Sequence, residues 1–143
     1  MNRLCVICLL ASFGLPLPAA GDTDDAMPPA YYAASLLNFI NSYRLQHGIP
    51  ALRPAEQLTA LAREQSEHMA EQGDISHDRF DVRFDRAGRM SCVENVGWNY
   101  RDPYEQFKGW QRSAEHNAAM LDPAATRSGI AVFDSYVTFF ACS

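Results

Sequence analysis

The sequence lacks the features that assign chains to several common functional classes. Its apolar N-terminal run, Leu4 to Ala11, is far shorter than the roughly 20 residues that a membrane-spanning helix needs. Basic residues are outnumbered, 12 against 17 acidic ones, and form no stripe, which argues against nucleic-acid binding and against docking onto anionic lipid. No HExxH, P-loop or GxSxG motif is present. The standard metalloprotease, nucleotide-binding and serine-hydrolase signatures are therefore excluded.

The N-terminus has the composition of an export signal. Arg3 precedes the apolar run, small residues follow at Pro18-Ala19-Ala20, and the next five residues include three aspartates. This order predicts a secretory signal peptide over residues 1–20, and Cys5 and Cys8 do not supply a lipobox. Without Arg3 the remaining 11 basic and 17 acidic residues give a net charge of about −6. We expect a secreted or periplasmic protein, monomeric and without a stable membrane anchor.

Cysteine is scarce in the rest of the chain. Only Cys92 and Cys142 remain beyond the predicted signal peptide, and two cysteines in an exported protein commonly form a disulfide. Closing a loop of about 50 residues would stabilise the fold by up to roughly 4 kcal/mol in the chain-entropy treatment. The alternative, a metal site with two cysteine ligands, lacks the close CxxC spacing that such sites use.

Residue periodicity predicts an α+β domain over residues 34–143. Residues 21–33 are acidic and have little to bury, so they are predicted to be a disordered leader. Apolar spacing and turn residues predict, in order, a helix ending near Gly48, a helix from Pro54 to Gly73, a long loop over His77–Gly88, a strand over Val93–Tyr100, a helix after Asp102, and a hairpin of strands 129–133 and 136–140. Helices first and a hairpin last predict an antiparallel sheet packed against helices.

One predicted strand carries a carboxylate that needs an explanation. Strand alternation places Glu94 on the same face as Val96 and Trp98. A carboxylate there needs partners, because burying an unpaired charge is costly. Arginine or main-chain amides could satisfy it as a purely structural group. Partial burial beside histidines would instead tune its protonation for acid–base chemistry, and both interpretations remain open.

Two histidines are candidate companions of Glu94. His77 lies in the predicted loop after the second helix, where a lone histidine is more often a solvated side chain. His116 follows the helix that carries Trp110, where a histidine can favourably cap a helix C-terminus. Residue chemistry alone therefore supports only a weak site of two histidines and one carboxylate.

Several segments occur together in an order that resembles a known family. They are Asn41-Ser42-Tyr43-Arg44, Ile75-Ser76-His77, Glu94-Asn95-Val96, Trp110 with Ser113 and His116, Met120-Leu121, Gly129-Ile130-Ala131 and the last strand at Tyr136. Together they resemble the CAP superfamily of cysteine-rich secretory, antigen 5 and pathogenesis-related proteins, in particular its short bacterial, SCP-like extracellular branch. The resemblance implies an α-β-α sandwich with a small antiparallel sheet between helical layers.

The resemblance also implies a cleft in which two histidines and two glutamates can hold a divalent metal, commonly zinc. Carried over residue by residue, the histidines are His77 and His116, and the first glutamate is Glu94. Ser113 stands where the second glutamate would fall, and Glu115 could replace it only if the backbone turned it inward. Two imidazoles would hold zinc or another divalent metal weakly, with Glu94 orienting a ligand or accepting a proton from bound water.

Three kinds of function are compatible with these residues. The first is an exported binding module of the cell envelope or extracellular space, with an unknown envelope, lipid or host-facing ligand. The second is a metal-dependent hydrolase with Glu94 as its general base. A Ser113–His116 nucleophile pair is a separate and weaker enzymatic hypothesis, because no elbow or oxyanion motif surrounds Ser113. The third is a His/Glu network that orders the loops without any ligand.

Overall fold

The computed structural model describes residues 27–88 and 90–143. The predicted signal peptide and the first six residues of the predicted leader, 21–26, lie outside the described residues. The elements follow in the order α1 Pro29–Gln46, β1 Arg53–Pro54, α2 Glu56–Gln72, α3 Phe80–Arg86, β2 Cys92–Trp98, α4 Pro103–Arg112, α5 Ala114–Met120, β3 Arg127–Phe133 and β4 Tyr136–Cys142. Among these described helices, none is both long and apolar enough to cross a membrane.

The four strands form one mixed sheet in the order β1-β3-β4-β2. Strands β3 and β4 are the predicted hairpin, because Phe133 pairs with Tyr136 across a two-residue loop. Strand β2 runs antiparallel to β4 in unbroken register. The sheet differs from the antiparallel one expected in one respect: β1 pairs parallel with β3 through two residues only. A strand of two residues has no alternation by which a sequence could reveal it.

Helices cover both faces of the sheet, which confirms the predicted α-β-α sandwich. Strand alternation sends Ile130 and Phe139 to one face, where they form a core with α1, α4 and α5. It sends Ala131 and Phe140 to the other face, where they pack against Leu58 and its neighbours on α2. Strand β4 is buried along its whole length because it lies inside the sheet and between both helical layers.

Several element boundaries differ from the predicted ones. Helix α1 begins at Pro29 and buries Tyr32, so residues 29–33 belong to a helix and not to the predicted leader. Pro54 lies in β1, and α2 begins two residues later, at Glu56. The long loop predicted before β2 contains the seven-residue helix α3.

A glycine lets α2 approach the sheet closely. A Cβ atom on Gly129 would overlap main-chain atoms of Leu58 and Thr59 in the first turns of α2. Main chain cannot move aside as the end of a flexible side chain could, so this position in β3 accepts no side chain without separating the helix from the strand. Hydrogen bonds from Ser66 to Ala131 and Thr138 fix the same helix further along the sheet.

Cys92 and Cys142 form a disulfide between neighbouring strands. They lie opposite each other at the first pair of the β2–β4 ladder, and their Cα atoms are 4.1 Å apart. The bond therefore joins the start of the edge strand β2 to the end of the central strand β4, across a sequence separation of 50 residues.

We expect the native oxidised protein to resist thiol labelling at both cysteines. After unfolding and reduction both should react, and reduction should lower the free energy of unfolding by up to roughly 4 kcal/mol, because the reduced chain gains conformational entropy when unfolded. Mass spectrometry after alkylation and urea unfolding of the two redox forms measure these effects. Labelling of both native cysteines without reductant would contradict the disulfide.

Candidate functional site

The candidate site lies where α3 and α5 meet strand β2. Strand β2 is the last in the sheet order, so within the described part of the chain only β4 pairs with it. The segment from α2 to α3 approaches from the face that carries Glu94, and α5 approaches from the opposite face. Groups from both faces therefore converge on the edge of β2 that points away from β4.

Glu94 is buried and paired with Arg83. Its side chain is only 1% exposed. The Arg83 guanidinium donates from Nε to Oε2 at 2.8 Å and from Nη2 to Oε1 at 2.7 Å. This two-point match between guanidinium and carboxylate satisfies the buried charge, which would otherwise be very costly. The structural partner that the sequence left open is therefore an arginine on α3.

Arg83 also fixes the segment that carries His77. Its Nη1 donates to Oε1 of Gln65 at 2.6 Å and to the main-chain carbonyl of Asp78 at 2.8 Å. Gln65 in turn donates from Nε2 to the carbonyl of Ser76 at 2.6 Å. The main chain on both sides of His77 is thus held by two buried side chains. The loop after α2 has a defined conformation because of these bonds.

His77 is oriented by Glu94. Its Nδ1 lies 2.9 Å from Oε1 of Glu94, while half of its side chain, 51%, is exposed. Both oxygens of the Glu94 carboxylate already accept from Arg83, so the bond to His77 is assigned with Nδ1–H as its donor. In the neutral form of the ring, the other nitrogen, Nε2, has a free lone pair, and it bonds to none of the described residues. Carboxylates orient metal-binding and proton-accepting histidines in this way.

His116 lies on α5 and is held near β2 through its main chain. Asn95, the neighbour of Glu94 on the opposite face of β2, donates from Nδ2 to the carbonyl of His116 at 2.9 Å. The imidazole stands 6.5 Å from the Trp110 ring, centroid to centroid. This connection explains how a histidine on the α5 side of the sheet comes within electrostatic range of His77.

Burial lowers the pKa of His116 below 6.5, and the charge of His77 lowers it further, while Glu115 acts in the opposite direction. The folded protein therefore favours the neutral ring. The pKa of His116 is lower in the folded protein than its value of 6.5 in the unfolded chain, so its contribution to stability is fully present above pH 6.5. This contribution is lost as the pH falls through the pKa of the folded state. A neutral ring at mild acidity is also the form that can donate a lone pair.

The remaining predicted site residues, Ser113 and Glu115, contribute less to the site. Ser113 lies at the junction of α4 and α5 and is half-buried, but its hydroxyl makes no hydrogen bond to the His116 ring. The predicted nucleophile pair is therefore not assembled in this conformation. Glu115 is exposed and affects His116 only through its charge.

The donor set fits only part of the metal site that the resemblance implies. Across residues 27–88 and 90–143, no group of three or more His, Cys, Asp or Glu side chains is placed to hold a metal ion. Both oxygens of Glu94 already accept bonds, which leaves Nε2 of His77 and the ring of His116 as donors. Two imidazoles suit a weak, exchangeable site, and a stable zinc site uses three or four protein ligands.

Sequence reasoning missed Arg83, Gln65 and Asn95 as parts of the site. The predicted loop contains several arginines, and only the folded structure shows that Arg83 is the one that pairs with Glu94. Gln65 and Asn95 are buried polar residues next to apolar ones. A glutamine among the apolar positions of α2 was the one available signal, because a buried amide needs hydrogen-bond partners.

We predict that Arg83→Met destabilises the protein by about 3–5 kcal/mol, because it leaves the Glu94 carboxylate buried without its partner. Arg86→Met is the matched control. It removes an arginine of the same helix whose partner, Glu64, is exposed, and it should leave stability close to wild type. Urea unfolding of the three oxidised proteins measures the difference. Equal, small effects of both substitutions would show that Arg83 does not carry the buried charge.

We predict that His77→Gln raises the pKa of His116 while leaving it below 6.5, since desolvation is the larger cause of its shift and remains. An NMR titration of the His116 Cε1 proton in both proteins measures this. His47→Gln, at the C-terminal end of α1, is the control and should not move the titration. An unchanged His116 titration in His77→Gln would mean that the two rings do not interact.

Comparison with known proteins agrees with this architecture. The CAP family, described as the Cysteine-rich secretory protein family, matches residues 37–143. The uncharacterized membrane protein YlbC of Bacillus subtilis (strain 168) is 30% identical in an alignment 115 residues long, which covers 72% of this chain and 32% of that relative. The chain therefore spans about a third of the length of this curated relative.

Solved bacterial structures share the fold. An extracellular protein containing a SCP domain from Bacillus anthracis str. Ames has a TM-score of 0.73 at 23% identity, covering 80% of this chain and 41% of that one. A cysteine-rich secretory protein from Staphylococcus aureus subsp. aureus Mu50 has a TM-score of 0.74 at 18% identity, with 81% and 39% covered. For an outer surface protein from Borrelia burgdorferi the values are 0.70, 15%, 77% and 90%. With a family match over most of its length and the fold of bacterial SCP domains, this chain belongs to the CAP, or cysteine-rich secretory protein, family.

Proposed function

We propose that this protein is an exported CAP-domain binding module whose cleft, lined by His77 and His116, takes up a divalent metal weakly. The observation that carries the proposal is the hydrogen bond between His77 Nδ1 and Glu94, because it leaves Nε2 of this half-exposed ring as the lone-pair donor. His116 supplies a second, neutral ring. A divalent metal held there would offer open coordination positions to an oxygen or nitrogen donor of a ligand.

Export is part of the proposal. Residues 1–20 have the order of charge, apolar run and small residues that a signal peptide needs. Two of the similar structures are named as an extracellular protein and an outer surface protein. These observations support a place of action in the cell envelope or the extracellular space, on an envelope, lipid or host-facing ligand.

The geometry favours a positioning role for Glu94 over a general-base role. A general base must offer a free oxygen within hydrogen-bond reach of the proton that it removes. Oε2 of Glu94 faces Arg83, Oε1 is shared by Arg83 and His77, and the side chain is shielded from solvent. The hydrolase alternative predicts a turnover that Glu94→Gln abolishes without loss of fold. The binding module has no such turnover.

Zinc binding by the oxidised protein tests the proposal. Isothermal calorimetry should show one weakly bound zinc per chain in wild type and in His47→Ala, and none in the double variant His77→Ala/His116→Ala. Glu94→Gln should weaken zinc affinity by about 10–100-fold, the usual effect of removing a carboxylate that orients a histidine ligand. Folding of each variant is checked by circular dichroism. Absence of zinc uptake by folded wild type would favour a ligand-free structural network.

A further inference from the structure

The edge of β2 beside the two histidines has unpaired main-chain groups. Two bonds flank the β2–β4 ladder, from the amide of Ser143 to the carbonyl of Ser91 at 2.9 Å and from the amide of Asn99 to the carbonyl of Ser135 at 2.8 Å. In an antiparallel pair, hydrogen-bonded and non-bonded positions alternate. Because the register is unbroken, Val93, Asn95 and Gly97 bond to β4. The main-chain groups of Cys92, Glu94, Val96 and Trp98 face away from it and form what we call the outer edge of β2.

An independent contact supports this assignment. The indole Nε1 of Trp110 donates to the carbonyl of Val96 at 2.9 Å, so that carbonyl points away from β4, as the alternation requires. The amide and carbonyl of Glu94 and the amide of Val96 have no hydrogen-bond partner among the described residues. Buried main-chain groups are nearly always paired. Three adjacent unpaired groups in the middle of a strand therefore need an explanation.

The main chain at Glu94 reaches solvent. Glu94 as a whole residue is 9% exposed, but its side chain is only 1% exposed. The exposed area of this residue therefore belongs to its backbone. The main chain of Glu94 is therefore accessible from solvent, whereas its carboxylate is enclosed with Arg83.

The opposite edge of the sheet is protected against pairing. Strand β1 has only two residues, one of them Pro54, which has no amide hydrogen. Short edge strands and proline are common means of preventing the addition of another strand. Strand β2 has seven residues and no proline, and within the described chain Trp110 is the one side chain that bonds to its outer edge.

We propose that the outer edge of β2 binds an extended peptide segment as an added strand. The Glu94 amide donates to a peptide carbonyl, the Glu94 carbonyl accepts from a peptide amide, and the Val96 amide donates to a second peptide carbonyl two residues away. Trp110 occupies the Val96 carbonyl and ends the ladder there. The inference rests on the proposed function, because it names the ligand class of the same cleft, but its hydrogen bonds do not involve a metal.

An extended peptide matches these groups better than other ligand classes. Residues two apart on a strand repeat every 6.5 to 7 Å, roughly, which is the spacing at which a second extended chain presents its own amides and carbonyls. Lipid tails offer no donors or acceptors, and sugars have no such repeat. Side chains of the added strand would alternate between the His77 side and the His116 side of β2. The main chain would give affinity, and the two imidazoles would give selectivity.

The test uses the oxidised full domain, labelled with ¹⁵N, in the presence of EDTA. The probe is a positional-scanning pool of capped hexapeptides without proline, and its best member is then studied alone. We expect amide exchange at Glu94 and Val96 to slow at least about tenfold when this peptide is added, with no such change at Arg53 in β1. Slowed exchange at these two amides would place the peptide on the outer edge of β2.

Two N-methylated forms of the same peptide provide the matched control. In an added strand every second amide faces the protein, so methylation of one alternate set should weaken binding by about tenfold or more, and methylation of the other set should not. No binding from the pool, protection elsewhere in the protein, or equal tolerance of both methylated forms would each overturn the inference. Peptide binding without zinc uptake would overturn only the metal site, and zinc uptake without peptide binding would overturn only the added strand.

Discussion

The ion pair between Arg83 and Glu94 is the interaction on which the site depends. A carboxylate enclosed on a sheet face is tolerated only with a partner that matches both its oxygens, and a guanidinium has the required fork of donors. The remaining nitrogen of Arg83 binds Gln65 and the main chain of Asp78. The Arg83 side chain thus neutralises the Glu94 carboxylate and holds the loop that carries His77 in place. Glu94 orients the His77 imidazole, and Glu94 can be buried there because Arg83 neutralises its charge.

Ser113 stands where the resemblance implies a second glutamate, and its hydroxyl brings no charge to the surroundings of His116. A buried carboxylate beside an imidazole would favour the charged ring. Here the groups that influence His116 are its own desolvation, the positive field of His77 and an exposed Glu115, and their sum favours the neutral ring. The two histidines are therefore unequal: one is fixed by a carboxylate through Nδ1, and the other is kept neutral by its surroundings.

Much of the fold could be predicted from the sequence, because its helices and hairpin have local signals. The Asp134-Ser135 loop follows from the two-residue gap between two apolar runs, and the face of Glu94 follows from strand alternation. The resemblance added the cleft and its histidines. The choice of Arg83 could not be predicted, because α3 has only seven residues and other arginines lie nearby with the same local character. Strand β1 could not be predicted either, because two residues are recognisable as a strand only by the neighbouring strand with which they pair.

The position of β4 in the sheet has a consequence for folding. Within the described chain, β4 is the one strand that pairs with β2, and β4 is the last strand along the sequence. Contacts between segments so far apart form slowly, because loop-closure entropy opposes them until the sheet is nearly complete. Helices α1 and α2 can form early, but β2 has no support until β4 pairs with it. The candidate site around Glu94 therefore forms in the same late step that completes the sheet, and a partly folded chain lacks this arrangement of side chains.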